Sequence, residues 1–258
     1  MIVAGIDVGG QNVHVVIKKD GKILGKGIAP AGIKKAEAVE ALYDHLLKKA
    51  GISRKDVDRV VATGSAAKRV SFANGFISDV AADVLGAIKL FPNARTIIDV
   101  GAEEGRAISV SPDGKVLDFA INDKCAAGTV TFVEAMSRAL EVSVEEMARI
   151  ALDSTKSIPM NAQCAVFGES EVVSLIHQNI SKPDIYRAVM DAVAGRVGSI
   201  ARIVGLEKDV VLVGGMAKNK GFIDSLQKNI EIEVIVPDDP DYIGAIGATE
   251  AALAGVLE

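Results

Sequence analysis

Tryptophan is absent from this sequence, cysteine occurs twice, histidine three times, and aromatic residues make up only 4% of it. That scarcity argues against a β-sandwich. With 49% hydrophobic residues and abundant Gly and Ala, the composition suits a closely packed α/β protein. Dense Lys/Arg blocks are also missing and the net charge is −5, which argues against nucleic acid as a partner. No apolar run reaches the roughly 18 residues of a membrane span. The apolar start "MIVAGIDVGG" has no basic leader and runs straight into a turn, so it reads as part of the fold and not as a signal peptide. The expectation is a cytoplasmic protein, without a membrane partner, in which a structural disulfide is out of place. Its length suits one large domain or two lobes of ordinary size.

The two cysteines stand in matching settings. Cys125 lies in "INDKCAAGTV" and Cys164, 39 positions later, in "NAQCAVFGES". Each precedes a small-residue turn that looks like the start of a helix. Two thiolates are too few for a four-ligand metal site. Packing, a disulfide, or half of a shared site remain open from the residues alone.

A repeat organises the chain. "IDVG" occurs at 6–9 and again at 98–101, followed by "KDGKILG" (19–25) and "PDGKVLD" (112–118). Asp7 and Asp99 are 92 apart, while the Asp-Gly turns at Asp20 and Asp113 are 93 apart, so one inserted residue separates the copies. Each copy predicts strand, tight turn, strand, Asp-Gly hairpin, strand. Helices are expected over 35–51, 77–91, 128–140, 143–152, 168–180, 183–204, 219–229 and 243–256, with further strands at 58–64, 209–215 and 232–236. The reading is a duplicated βββαβα lobe with helices inserted in the second copy: residues 1–94 plus 241–258, and 95–240. Two "DVG" turns lining a cleft suit a nucleotide polyphosphate with its Mg²⁺, because backbone amides can hold phosphates and carboxylates the metal's waters.

The two "IDVG" hairpins, with "VVLVGGMAKN" (210–219) and "GAIGATEAAL" (244–253), resemble the actin/Hsp70/sugar-kinase ATPase superfamily, whose duplicated ribonuclease H-like fold is the fold expected here. "NDKCAAGT" and "STKSIPMNAQCAVFGESEVVS" (154–174) resemble the activators of 2-hydroxyacyl-CoA dehydratases and the related subunits of ATP-dependent benzoyl-CoA reductase, the BadF/BadG/BcrA/BcrD-type ATPases. The resemblance implies that Cys125 and Cys164 supply two thiolates to a [4Fe–4S] cluster shared between two subunits. It further implies ATP/ADP with Mg²⁺ at the hairpins and delivery of a low-potential electron, from a ferredoxin-like donor, to an acyl-CoA reductase or dehydratase component. Such a cluster needs four thiolates, so two per chain demand a partner. Ala126, Ala127 and Gly128 would let the backbone approach it. Asp7, Asp99 and Glu104 are the implied catalytic residues. Gly9, Gly10, Gln11, Asn12, Gly101, Ala102, Glu103, Gly128, Gly214, Gly215, Met216 and Gly244 are the implied nucleotide contacts.

The loops depart from the activator pattern. Gly10 stands at the hydroxyl position of the first and His14, seven residues after Asp7, at its lysine position. In the second, Ala102, Glu103 and Glu104 replace Gly, Gln and Asp. "DVGAEEGRAI" resembles the less typical D-type subunit of benzoyl-CoA reductase, which makes a heterodimer with a second family ATPase the expected assembly. An imidazole cannot replace a permanent ammonium on phosphates, so nucleotide binding is expected to survive better than fast hydrolysis. Other readings stay in play: a homodimeric dehydratase activator, a small-metabolite kinase, and a regulator that only binds nucleotide. Glu169 and Glu171 are read as complementing a helix dipole, Lys124 and Lys156 as surface or site lysines, His45 and His177 as ordinary helical residues, and Asp241 and Tyr242 as a loop near the pocket.

Overall fold

The computed structural model describes residues 1–122 and 126–256. It divides into two compact units: Met1–Ala94 with Val110–Val116 and Asp241–Glu258, and Arg95–Ser109 with Leu117–Pro240.

The first unit is built on a five-stranded sheet. Its strands are β1 (Ile2–Val8), β2 (Asn12–Lys19), β3 (Lys22–Pro30), β4 (Arg59–Thr63) and β5 (Gly75–Phe76), in the order β3-β2-β1-β4-β5. β1 pairs antiparallel with β2 and parallel with β4. β-Branched residues fill about half of β1, β2 and β4, and Val3, Ala4, Ile6, Val13, Val15 and Ile17 are fully buried. Helix α1 (Lys35–Lys49) lays Val39, Tyr43, Leu46 and Leu47 onto one face. On the other face pack α2 (Asp79–Leu90) and the last helix, which joins a small core with Val3, Val61 and Ile77.

The second unit repeats the plan. Its strands are β6 (Thr96–Val100), β7 (Gly105–Val110), β8 (Val116–Asn122), β9 (Val210–Val213) and β10 (Val234–Ile235), in the order β10-β9-β6-β7-β8. Replacing each strand by its counterpart and reversing the order gives the first sheet. β6 again pairs antiparallel with the next strand and parallel with a later one. The helices are α3 (Val130–Ala139), α4 (Val144–Ala151), α5 (Ala165–His177), α6 (Lys182–Ile203) and α7 (Lys220–Ile230). α6 buries a long stripe including Ile185, Val189, Val193 and Val197, and it gives the second core more residues than any other element. Serine hydroxyls cap α2, α4 and α6 by accepting from Ala81, Glu146 and Asp184 N–H groups, and Asn219 does the same for α7 with the Phe222 N–H.

The Gly/Ala richness has a use in the last helix, α8 (Ile243–Ala254). A Cβ at Gly247 would strike the Ala82 carbonyl of α2, and one at Gly5 would strike the Ala245 carbonyl. Backbones meet there where side chains would hold them apart. The one-residue offset between the repeats lies in the hairpin loops. Asp20 (φ 49°) and Gly21 (φ 77°) make a two-residue loop closed by the Lys19–Lys22 pair. The second copy has three residues between Ser111 and Lys115, whose backbones are bonded Ser111 N to Lys115 O at 2.8 Å. Among the described residues no helix is long and apolar enough to cross a membrane.

Candidate functional site

In the first hairpin, β1 brings Asp7 to the C-terminal end of the central strand, opposite His14 of β2 and beside Thr63 of β4. The turn is short: Gly9 N–H donates to the Asn12 carbonyl at 2.9 Å, and Gln11 O accepts from Ala31 N–H at 2.8 Å. Lys35 Nζ, from the start of α1, donates to the Gly9 carbonyl at 2.9 Å. Two glycines leave room for the Asp7 carboxylate. A Cβ at Gly64 (φ +96°) would lie 2.6 Å from its Oδ1, and one at Gly244 would lie 2.9 Å from its Oδ2. Gly9, Gly10, Gln11 and Asn12 all sit in this turn and are partly exposed.

The imidazole of His14 is buried between two carboxylates. Its Nδ1 is 3.9 Å from Asp7 Oδ2 and its Nε2 is 3.6 Å from Asp241 Oδ2, both outside hydrogen-bond range. Neither nitrogen has a hydrogen-bond partner among the described residues. Tyr242 meets the ring edge-on at 5.2 Å, and Lys26 Nζ stands 5.2 Å above the Tyr242 ring. Asp241 and Tyr242 therefore belong to the wall around His14 and Asp7.

The second hairpin has the same backbone and a different electrostatic solution. Asp99 of β6 faces Arg106 of β7, again seven residues on. Arg106 Nη1 is 3.1 Å from Asp99 Oδ2 and Nη2 is 3.2 Å from Glu104 Oε2. Asp99 and Arg106 are both buried, so the pair is costly to break on one side in a way that a surface ion pair is not. The turn is tied to α3: Val130 and Thr131 N–H groups donate to the Gly101 and Ala102 carbonyls at 3.0 and 3.2 Å, while Gly101 N–H reaches Glu104 O at 2.9 Å. Gly214 (φ +83°) follows β9 as Gly64 follows β4, and a Cβ there would collide with Asp99 Oδ1. Gly215 faces Val130, and Met216 is buried in the core. Gly128 packs against Asn122 and Arg196, with no space for a side chain.

Cys164 is a free thiol at the N-cap of α5 and is partly exposed. No side chain, that of Cys164 included, caps the first-turn N–H groups of that helix. Val166 and Phe167, 70% and 55% exposed, place an apolar surface beside it. Cys125, Asp123 and Lys124 lie outside the described residues. No group of three His, Cys, Asp or Glu able to hold a metal occurs among the described residues. The donor chemistry at Cys164 fits one corner of an iron–sulfur cluster, and a four-thiolate site needs more cysteines than one chain contains.

Two expectations are corrected in detail. α5 starts at Ala165, not 168, so its first turn holds no acidic residue, and Glu169 and Glu171 lie beyond it. The motifs alone assign Arg106 no role, although its spacing from Asp99 equals that of His14 from Asp7. They also overlook Gly64. The signal is present, since a glycine ends "VATG" as one follows "VLV" in "VLVGG". His45 and His177 are exposed helical residues.

Two sheets of one topology, each placing an aspartate at a glycine-flanked hairpin, define a duplicated ATPase fold of the actin/Hsp70/sugar-kinase class, which this chain shares with known kinases and activators. The chain belongs to the BadF/BadG/BcrA/BcrD ATPase family, which matches residues 4–252. It is 39% identical over 249 residues to the activator of lactoyl-CoA dehydratase of Anaerotignum propionicum, covering 96% of both chains. The structure of the activator of 2-hydroxyisocaproyl-CoA dehydratase from Clostridium difficile with bound ADPNP superposes with a TM-score of 0.92 at 34% identity, covering 99% of this chain and 95% of that one. The D-type subunit of benzoyl-CoA reductase of Thauera aromatica is 33% identical over 215 residues, covering 81% of this chain and 76% of that protein. The dehydratase activators thus match more of the chain at higher identity. This turns the assignment away from the D-type reductase subunit, which rests on the short stretch between Asp99 and Arg106.

Proposed function

We propose that this chain is an ATP-driven electron activator of a 2-hydroxyacyl-CoA dehydratase. The observation that carries the reading is Cys164, a partly exposed thiol at an uncapped helix N-terminus, in a chain that matches dehydratase activators over nearly its whole length. With that reading comes a second copy of the chain as partner, in place of the heterodimer expected from the second loop. A ferredoxin-like protein is the proposed reductant, and a dehydratase component the acceptor.

Each residue has a proposed part. The Gly9–Asn12 turn and Gly101–Glu104 turn present backbone amides to the phosphates, and Asp7 holds the waters of Mg²⁺. The Asp99–Arg106–Glu104 group fixes the second turn so that its amides are preorganised, and Glu104 orients the attacking water. Gly214, Gly215, Met216 and Gly244 shape the nucleotide's surroundings. Cys164, at the N-cap of α5, and Cys125 are the proposed cluster ligands. When bound, a [4Fe–4S] cluster supplies a single low-potential electron. Nucleotide turnover at the hairpins is proposed to move the cysteine-bearing segments and so gate that electron.

His14 and Gly10 make this a slow ATPase in the proposal, because a lysine and a hydroxyl are missing from the phosphate loop. Anaerobic assays settle the acceptor. The reduced chain with ATP should switch on a 2-hydroxyacyl-CoA dehydratase component and leave benzoyl-CoA reductase catalytic subunits idle. The reverse pattern would restore the reductase reading. ATP hydrolysis without activation of either would favour a kinase or a nucleotide-sensing regulator.

A further inference from the structure

The second unit contains a cavity of about 490 Å³ that none of the residues discussed so far needs, with walls from the loop after α4, from α6 and from α7. Its charged groups are not all paired with one another. Arg187 Nε donates to Asp191 at 2.6 Å, and another of its nitrogens bonds Asp224. Lys228 Nζ also reaches Asp224, at 2.8 Å. Those two cations are met by two carboxylates. Lys156 lines the same cavity and its ammonium makes no ion pair among the described residues, while the rim carboxylate of Asp184 is taken up by hydroxyl and backbone donors.

A hydroxyl is unused as well. Ser225 is only 2% exposed, lines the cavity, and its Oγ has no hydrogen-bond partner among the described residues. A buried polar atom left unpaired is destabilising, and a ligand accepting its proton would recover that loss. Thr155 and Ser157 bring two further hydroxyls to the rim. The rim is held in place: Ser154 Oγ, Thr155 N–H and Lys156 N–H all donate to Asp184 Oδ1, at 2.8, 3.0 and 3.1 Å. The donors need little reorganisation to receive a ligand.

We infer that this cavity binds a small tetrahedral oxyanion, inorganic phosphate or a phosphomonoester. Lys156 supplies charge, Arg187 adds to it, and Ser225 of α7 with Thr155 and Ser157 of the loop after α4 supply hydroxyl donors. Asp191 accepts a hydrogen bond from the P–OH group of a protonated phosphate. The cavity's rim is the start of the segment 154–163 that leads directly to Cys164. Occupancy would therefore fix the strut that carries this thiol. The inference is independent of the acceptor enzyme proposed above.

Isothermal titration of the whole protein with inorganic phosphate, with MgADP saturating the nucleotide site, tests it. The wild type should bind with a Kd of about 1 mM or tighter. Lys156→Met and Ser225→Ala should each weaken binding about tenfold, the loss of one charge-assisted or buried hydrogen bond, and leave the Kd for ADP unchanged. Hydrogen exchange of residues 154–163 should slow with phosphate in the wild type and not in Lys156→Met. Lys156 is exposed, so that variant carries the test even if Ser225→Ala folds poorly. Glycerol phosphate in a parallel titration assigns the source: tighter binding than inorganic phosphate points to a phosphomonoester, weaker binding to the free ion. Absence of binding by both at about 10 mM, or equal binding by wild type and Lys156→Met, would overturn the inference.

Discussion

The two hairpins share a backbone and part company at the residue that faces the aspartate. Asp7 faces His14, and Asp99 faces Arg106, at the same register and the same spacing. A positive-φ glycine beyond the parallel neighbour strand, Gly64 or Gly214, clears space for each aspartate. In the second hairpin a guanidinium closes on Asp99 and Glu104 at 3.1 and 3.2 Å. In the first the imidazole stands 3.9 Å from Asp7 with neither nitrogen hydrogen-bonded among the described residues. Duplication supplied one device twice. One copy holds its carboxylates in a structural ion network, and the other keeps a polar wall that a phosphate or metal could complete.

The comparison is broken most severely at Arg106. Arg106→Met leaves two carboxylates facing each other, one of them buried, and should destabilise the protein by about 3–5 kcal/mol in urea unfolding. His14→Met at the matching position removes an imidazole that makes no hydrogen bond to the described residues and should cost less than about 1 kcal/mol. Equal losses would mean that the two hairpins do the same structural job. Next come the glycines. Gly64→Ala and Gly214→Ala each force a Cβ into backbone and carboxylate at positive φ, and each should cost about 2–3 kcal/mol. A smaller effect that sharpens the contrast is His14→Lys. Restoring a permanent ammonium beside Asp7 should tighten ADP binding about tenfold and raise ATP turnover, whereas Arg106→Lys should improve neither.

The smallest effect is a pH dependence. The Ser181 and Ser154 hydroxyls, with the Thr155 and Lys156 N–H groups, hold the Asp184 carboxyl at about 2 despite its desolvation. A depressed carboxylate stabilises the fold in full above its ordinary pKa of 3.8 and loses that contribution as pH falls toward about 2. Asp184→Asn should therefore lower stability at pH 6 and have little further effect near pH 2. A constant difference across that window would show that the carboxylate's charge is not what anchors the loop.

Most of the architecture was legible in the residues. The repeated "IDVG" and Asp-Gly pairs pointed to both sheets, and the one-residue offset is the wider turn at Ser111–Lys115. Helix α1 followed from apolar periodicity with a clear stop at Gly51. β5, two residues long, escaped because its pairing with β4 is set by tertiary contact and not by any alternating pattern. α5 begins earlier than its sequence suggested because Cys164, a poor N-cap by propensity, occupies the cap position. The site was legible as far as its acidic residues and glycines. What closed on them was not: Arg106 is seven residues from Asp99 in sequence, and only antiparallel register brings it opposite. Asp241 and Tyr242, from the far end of the chain, are legible as a loop near the pocket but not as the wall of the His14 imidazole.

The central claim is that Cys164 is half of one chain's contribution to a shared cluster. Its most direct test is iron and acid-labile sulfide per chain after anaerobic purification, with Cys125→Ala and Cys164→Ala beside the wild type. The account predicts about two irons per chain, lost in both variants, as one four-iron cluster held by two chains requires. Wild-type protein without iron under strict anaerobiosis, still binding ATP, would contradict it and return the cysteines to the role of packing residues.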